Sequence, residues 1–196
     1  MGGGQGAGNR CSVRRGAPKK KEPHAGADGC AKRKLQVFTI FAGMKRILFV
    51  CHGNICRSPM AEAVMRELLR KVGLAEAYTV ASAAVSDEEW GNPIYPPAAL
   101  TLRAHGIPYD PIRTARPMTS ADYKTCDLII GMDESNLKAI RRIAGGDPDN
   151  KIQLLMDFAG KHRSVADPWY TRDFETAFDD IFSGCTALCQ KLLESQ

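Results

Sequence analysis

Short apolar runs alternate with stretches of helical periodicity along most of this chain. Arg46-Ile-Leu-Phe-Val-Cys51 is a continuous apolar run, the pattern of a strand buried on both faces, and further runs lie around 78–82, at 126–131 and at 151–156. After the first run, Met60, Ala61, Val64, Met65, Leu68 and Leu69 recur at helical spacing, and Pro59 suits a first turn. Helices are predicted around 97–105, at 135–143 behind a capping Asp133, and over 174–193 as an amphipathic closing helix. Strands alternating with helices predict an α/β fold, a single domain with one parallel four-stranded sheet and helices on both faces.

The first 43 residues break this pattern. They hold nine of the 27 Lys and Arg residues and nine of the 18 glycines, with only Glu22 and Asp28 as acids. The other 153 residues carry 18 basic and 20 acidic side chains, so the net charge of +5 belongs to the start of the chain. Residues 1–43 therefore read as a flexible, basic, Gly-rich N-terminal extension, and 44–196 as the folded domain. The apolar stretch 35–41 falls far short of the roughly 20 residues a membrane span needs. Lys32-Arg33-Lys34 imitates the start of an export signal but lies far from the N terminus, and no small-residue cleavage site follows. No membrane and no nucleic acid is expected as partner. Seven cysteines, an odd number without an export signal, point to reduced thiols and a cytoplasmic location. Cys51 and Cys56 are five apart and Cys185 and Cys189 four apart, neither with a matching second pair, so no metal is expected; the latter two read as buried on a helix face.

The chemistry concentrates in Cys51-His52-Gly53-Asn54-Ile55-Cys56-Arg57-Ser58, between the end of a strand and the start of a helix. Successive backbone N–H groups there can curl into an anion nest, reinforced by the positive end of the helix. Gly53 and Asn54 are residue types that tolerate positive φ. Arg57 offers a planar fork matched to two phosphate oxygens. Cys51 lies at the bottom of the cradle, where the same donors favour a thiolate nucleophile. A phosphate-binding loop between the first strand and the first helix, with a thiolate at its floor, is a device for attacking phosphorus.

Together with this loop, Ser82-Ala83, Met132-Asp-Glu-Ser-Asn136 and Asp167-Pro-Trp-Tyr170 give residues 44–196 a resemblance to the low-molecular-weight protein tyrosine phosphatases, especially bacterial ones, over essentially their full length. The resemblance implies hydrolysis of phosphotyrosine in proteins through a phosphocysteine on Cys51, without a cofactor, by an enzyme expected to be a monomer. It implies that Arg57 binds the phosphoryl oxygens and Ser58 hydrogen-bonds the sulfur. Asn54 would hold the loop shape, supported by Ser82. Asp167 would protonate the leaving tyrosine oxygen and then activate water. Trp169 and Tyr170 would wall the phosphotyrosine slot, with Trp90, Glu88 and Glu89 on the opposite wall. Cys56 would lie close to Cys51.

Some members place a histidine where it braces the loop asparagine; here Arg113 stands in that position. His105 reads as the end of a helix, and His52 as structural. A protein-arginine phosphatase is the nearest alternative activity, but those enzymes tend to carry threonine where Ile55 stands, and isoleucine suits a flat aromatic substrate better. An arsenate reductase of similar fold would need two further cysteines after the third strand. Gly131-Met-Asp-Glu-Ser-Asn-Leu137 has none, and Cys126 stands alone.

Overall fold

A computed structural model describes residues 1, 2 and 44–195; the expected N-terminal extension otherwise lies outside the described residues. The chain enters the sheet at β1 (Lys45–Cys51), turns into α1 (Arg57–Lys71) and returns as β2 (Tyr78–Ala84). Next come α2 (Pro96–Ala104), α3 (Ser120–Thr125), β3 (Leu128–Gly131) and α4 (Glu134–Ala144). The chain closes through β4 (Ile152–Leu154), α5 (Leu155–Phe158), α6 (Pro168–Thr171) and α7 (Phe174–Glu194). The four strands are parallel in the order β2-β1-β3-β4.

The apolar run of β1 is continuous because the strand is central and faces a core on each side. Ile47, Phe49 and Cys51 join one apolar cluster with Met60, Met65 and Leu69 of α1 and Phe178, Ile181 and Leu188 of α7. Leu48 and Val50 point the other way, into a second cluster with Leu137 and Ile140 of α4. This period-two alternation places helices on both faces, as the sequence predicts. Cys185 and Cys189 are buried in the first cluster. Gly184 of α7 passes so close to α5 that an added Cβ would come within 2.6 Å of Leu155 Cγ, so only glycine permits the contact.

The strand ends carry the consequence for function. Cys51 pairs with Ala84, Val50 with Gly131, and Gly131 with Leu154. The segments that follow β1 and β3 therefore leave the sheet side by side at its carboxyl edge, where open parallel sheets form their crevices. Two predicted strands are shorter than their apolar runs, 126–131 being strand only from Leu128, and helix α3 was not predicted. The run 151–156 is strand only to Leu154, because β3 offers no pairing residue beyond Gly131; Leu155 and Met156 turn into α5 and are buried in the first cluster. α3 shows no apolar stripe, since Tyr123 is its one buried residue; a capping box between Thr119 and Asp122 starts it.

Candidate active site

The turn after β1 is built around Asn54, which is fully buried and adopts φ +57°. Its backbone N–H donates to Cys51 Sγ (3.3 Å). Its Nδ2 donates to Ser58 Oγ (2.8 Å) and to Ser82 Oγ (2.9 Å). Its Oδ1 accepts from Arg113 Nη2 (2.7 Å) and the Arg116 N–H (3.2 Å), and its carbonyl accepts from Arg113 Nη1 (3.2 Å). Every polar group of Asn54 is thus used, which offsets the left-handed backbone and the burial of an amide. Arg113 is the brace, reaching Asn54 by two nitrogens of one planar fork. Gly53 does not take positive φ; a Cβ there would lie 2.9 Å from Glu89 Cγ, so a larger residue would displace the Glu89 side chain.

Ser58 Oγ lies 3.1 Å from Cys51 Sγ. Its acceptor side receives the Asn54 amide, leaving one O–H for the sulfur or the Ala83 carbonyl at 3.4 Å. Ser82, the expected support, donates in turn to Glu62 Oε2 of α1 (2.5 Å). Cys56, the second loop cysteine, makes none of these contacts. Burial, reinforced by Cys51 and Asp167, pushes its thiol up to about 12, so it remains protonated at neutral pH.

Arg57 opens α1 with 3% of its surface exposed. Its Nη1 donates to Asp133 Oδ2 (2.7 Å), and its Nη2 pairs with Asp167 Oδ2 (2.6 Å). Burial pushes the guanidinium down, but Cys51, Asp167 and Asp133 outweigh it and hold the cation above its ordinary value. Asp133 caps α4, accepting from the Asn136 N–H (2.7 Å) and the Ser135 hydroxyl (2.5 Å). Burial raises its carboxyl, yet these donors and Arg57 together hold it below the usual range. The sequence identifies Asp133 as a cap only. The signal for more was the Met132–Asn136 motif itself; the strand register then brings the segment after β3 beside the loop after β1.

A cavity of about 210 Å³ opens over this floor, lined by Cys51, His52, Gly53, Ile55, Cys56 and Arg57 below. Asp167, Trp169 and Tyr170 form one wall and Glu88 and Glu89 the other. Trp90 is a correction: it is 69% exposed and is not among the residues lining the cavity, its N–H instead closing a turn back to the Asp87 carbonyl at 3.1 Å. His52 Nε2 lies 3.1 Å from Glu88 Oε2 at the rim, and His105 caps α2 as expected. Asp167 caps α6 by accepting the Trp169 N–H (3.0 Å), which fixes the carboxyl relative to the aromatic wall. The segment before it is anchored by Asp180 of α7, which accepts from Arg163 and from the Ala166 N–H (3.1 Å). Among the described residues, no group of three His, Cys, Asp or Glu side chains is placed to hold a metal ion.

The family model for low molecular weight phosphotyrosine protein phosphatase matches residues 46–196. The human protein of that name is 39% identical over 153 residues, covering 76% of this chain and 94% of the human one. The crystal structure of Bacillus subtilis YfkJ superposes with a TM-score of 0.76 at 36% identity, covering 80% of this chain and 99% of that one. A Drosophila arginine phosphatase structure gives 0.68 at 30% identity, over 74% and 96% of the two chains. The chain belongs to the low-molecular-weight phosphotyrosine protein phosphatase family.

Proposed function

We propose that residues 44–196 hydrolyse phosphotyrosine in proteins through a phosphocysteine formed on Cys51. The observation that carries this reading is one sulfur ringed by the Asn54 N–H and Ser58 hydroxyl, beneath a cavity that also holds Arg57 and Asp167. The phosphoryl dianion takes the Nη2 donor that Asp167 occupies, because one guanidinium fork suits two phosphate oxygens. Asp133 keeps Nη1 and so holds the fork in plane. A carboxyl cannot serve Arg57 and a phenolic oxygen together, so phosphoryl binding and release of the acid are one exchange.

In the first step Cys51 sulfur attacks phosphorus. The S–P bond forms as the bond to tyrosine oxygen breaks, and Asp167, which takes up a proton from water once it has left Arg57, gives that proton to the departing oxygen. In the second step water attacks the phosphocysteine while the Asp167 carboxylate takes its proton. The S–P bond breaks, phosphate leaves, and the Ser58 hydroxyl donates to the departing sulfur. Arg57 carries the phosphoryl charge through both steps.

The substrates are phosphotyrosine-containing proteins: Ile55 on the floor and Trp169 and Tyr170 on the wall suit a flat aromatic group. A nucleophile that must stay reduced fits the cytoplasm, and one chain houses the complete site, which fits a monomer. The 30% identity with an arginine phosphatase supports a second reading, phosphoarginine hydrolysis. Initial rates on matched phosphotyrosine and phosphoarginine peptides separate the two. Faster phosphotyrosine turnover, lost in Cys51→Ser, is expected; faster phosphoarginine turnover selects the second reading, and an active Cys51→Ser overturns both.

A further inference from the structure

Tyr95 ties the phosphate-binding loop to the segment that carries the general acid. It immediately precedes α2 in extended backbone (φ −60°, ψ 131°), the conformation that the following Pro96 favours. Its N–H donates to the carbonyl of Ile55, on the cavity floor, at 2.8 Å. Its ring meets Trp169 edge to face, with centroids 5.6 Å apart, and leans on Phe174 at 5.8 Å. Its hydroxyl accepts from Arg172 Nη1 at 3.2 Å, and that guanidinium also lies over Trp169, 5.4 Å from the ring centre. The half-buried Tyr95 is not among the residues lining the cavity, so it acts only through its neighbours.

These contacts close a ring. Tyr95 holds Trp169 and Arg172, at either end of the turn that follows the acid. The Trp169 N–H holds Asp167 Oδ1, and Asp167 Oδ2 holds Arg57, which lies two residues after Ile55. During the reaction Asp167 must leave Arg57 for the leaving oxygen, which breaks this ring at one point. Tyr95 is then the contact that keeps Trp169, and through it the carboxyl, in register with the floor. We propose that Tyr95 is a positioning residue, setting Asp167 and the aromatic wall over the phosphoryl group. This rests on the phosphatase reading above.

The consequence is specific to the leaving group. A misplaced acid matters most where the departing oxygen needs a proton, so loss of Tyr95 steepens the dependence of kcat/KM on phenol acidity. The test uses residues 1–196 with phosphotyrosine peptide, phenyl phosphate and nitrophenyl phosphate. In Tyr95→Ala, kcat/KM is expected to fall about tenfold further on phosphotyrosine than on the nitrophenyl ester. Tyr95→Phe, which keeps the ring on Trp169, is expected to recover most of that difference. Arg172→Ala, at an exposed position, removes both the bond to the Tyr95 hydroxyl and the cation over Trp169, and so loosens the same wall from the far side should Tyr95→Ala fold poorly. Equal losses on all three esters, or no loss, in Tyr95→Ala or Arg172→Ala would overturn the proposal. A wild-type enzyme that released no phosphate from phosphotyrosine peptide would instead overturn the phosphatase reading.

Discussion

Asn54 shows how much of this site depends on one residue adopting an unusual backbone. A positive φ in a buried non-glycine residue persists only where the surroundings over-determine it, and here six hydrogen bonds do so. Three of them run from Asn54 to Cys51, Ser58 and Ser82 of β2, so the same residue that shapes the turn orients the proposed nucleophile and its hydroxyl neighbour. Two come from Arg113, whose removal in Arg113→Gln would leave the Asn54 carbonyl short of a donor in the interior. A destabilisation of about 1–3 kcal/mol is expected, read as a lowered urea midpoint, together with weaker competitive inhibition by inorganic phosphate. Arg113→Lys should recover little, because a single ammonium cannot span both acceptors. At this scale the sequence was legible wherever function is local: Cys51 through Ser58 are consecutive, and their chemistry follows from their types. Asp133 and Glu62 were harder to see because Asp133 reaches Arg57 across 76 positions of chain and Glu62 reaches the supporting Ser82 across 20.

At the level of elements, the strands and long helices were readable because burial on both faces, or on one helical face, leaves a periodic signature. The pieces that escaped are short and lack it. α3 is capped rather than packed, α5 begins where β4 runs out of partner, and α6 is a four-residue turn started by Asp167 and Pro168. That last element matters most for the proposed mechanism, since its cap is the residue we propose as the general acid. Asp167→Asn keeps a capping oxygen for the Trp169 N–H but has no proton to exchange. Its kcat/KM on phosphotyrosine is expected to fall by about 10²–10⁴. The loss on nitrophenyl phosphate should be far smaller, because an acidic phenol departs with little help. Initial rates on both esters check this; equal losses would return Asp167 to a purely structural turn.

For the whole molecule, the carboxylates decide how the fold responds to acid. Asp122, Asp133 and Asp180 are each raised by burial but lowered more by the hydrogen bonds they accept, and all lie below the ordinary range. Asp173 is lowered chiefly by its bonds from Thr176, and Glu67 is brought to about 2, first by Arg70. The unfolded chain takes up protons near pH 4, where the folded chain still resists them. The stability these groups contribute is therefore fully present above about pH 5 and is lost as the pH falls through their folded values. Urea midpoints are expected to stay level from pH 7 to about 5 and to drop steadily below about 4. A midpoint unchanged at pH 3 would show that the hydrogen bonds and ion pairs of these five carboxylates contribute nothing.

The central claim, that Cys51 carries the phosphoryl group under an acid supplied by Asp167, is tested most directly by stopping turnover and finding the phosphate. Mass spectrometry of acid-quenched enzyme mixed with nitrophenyl phosphate should show one phosphoryl group on the peptide containing Cys51. It should accumulate further in Asp167→Asn, where water is poorly activated, and be absent in Cys51→Ser. A phosphoryl group on another residue, or full turnover by Cys51→Ser with no phosphoenzyme at all, would contradict the account.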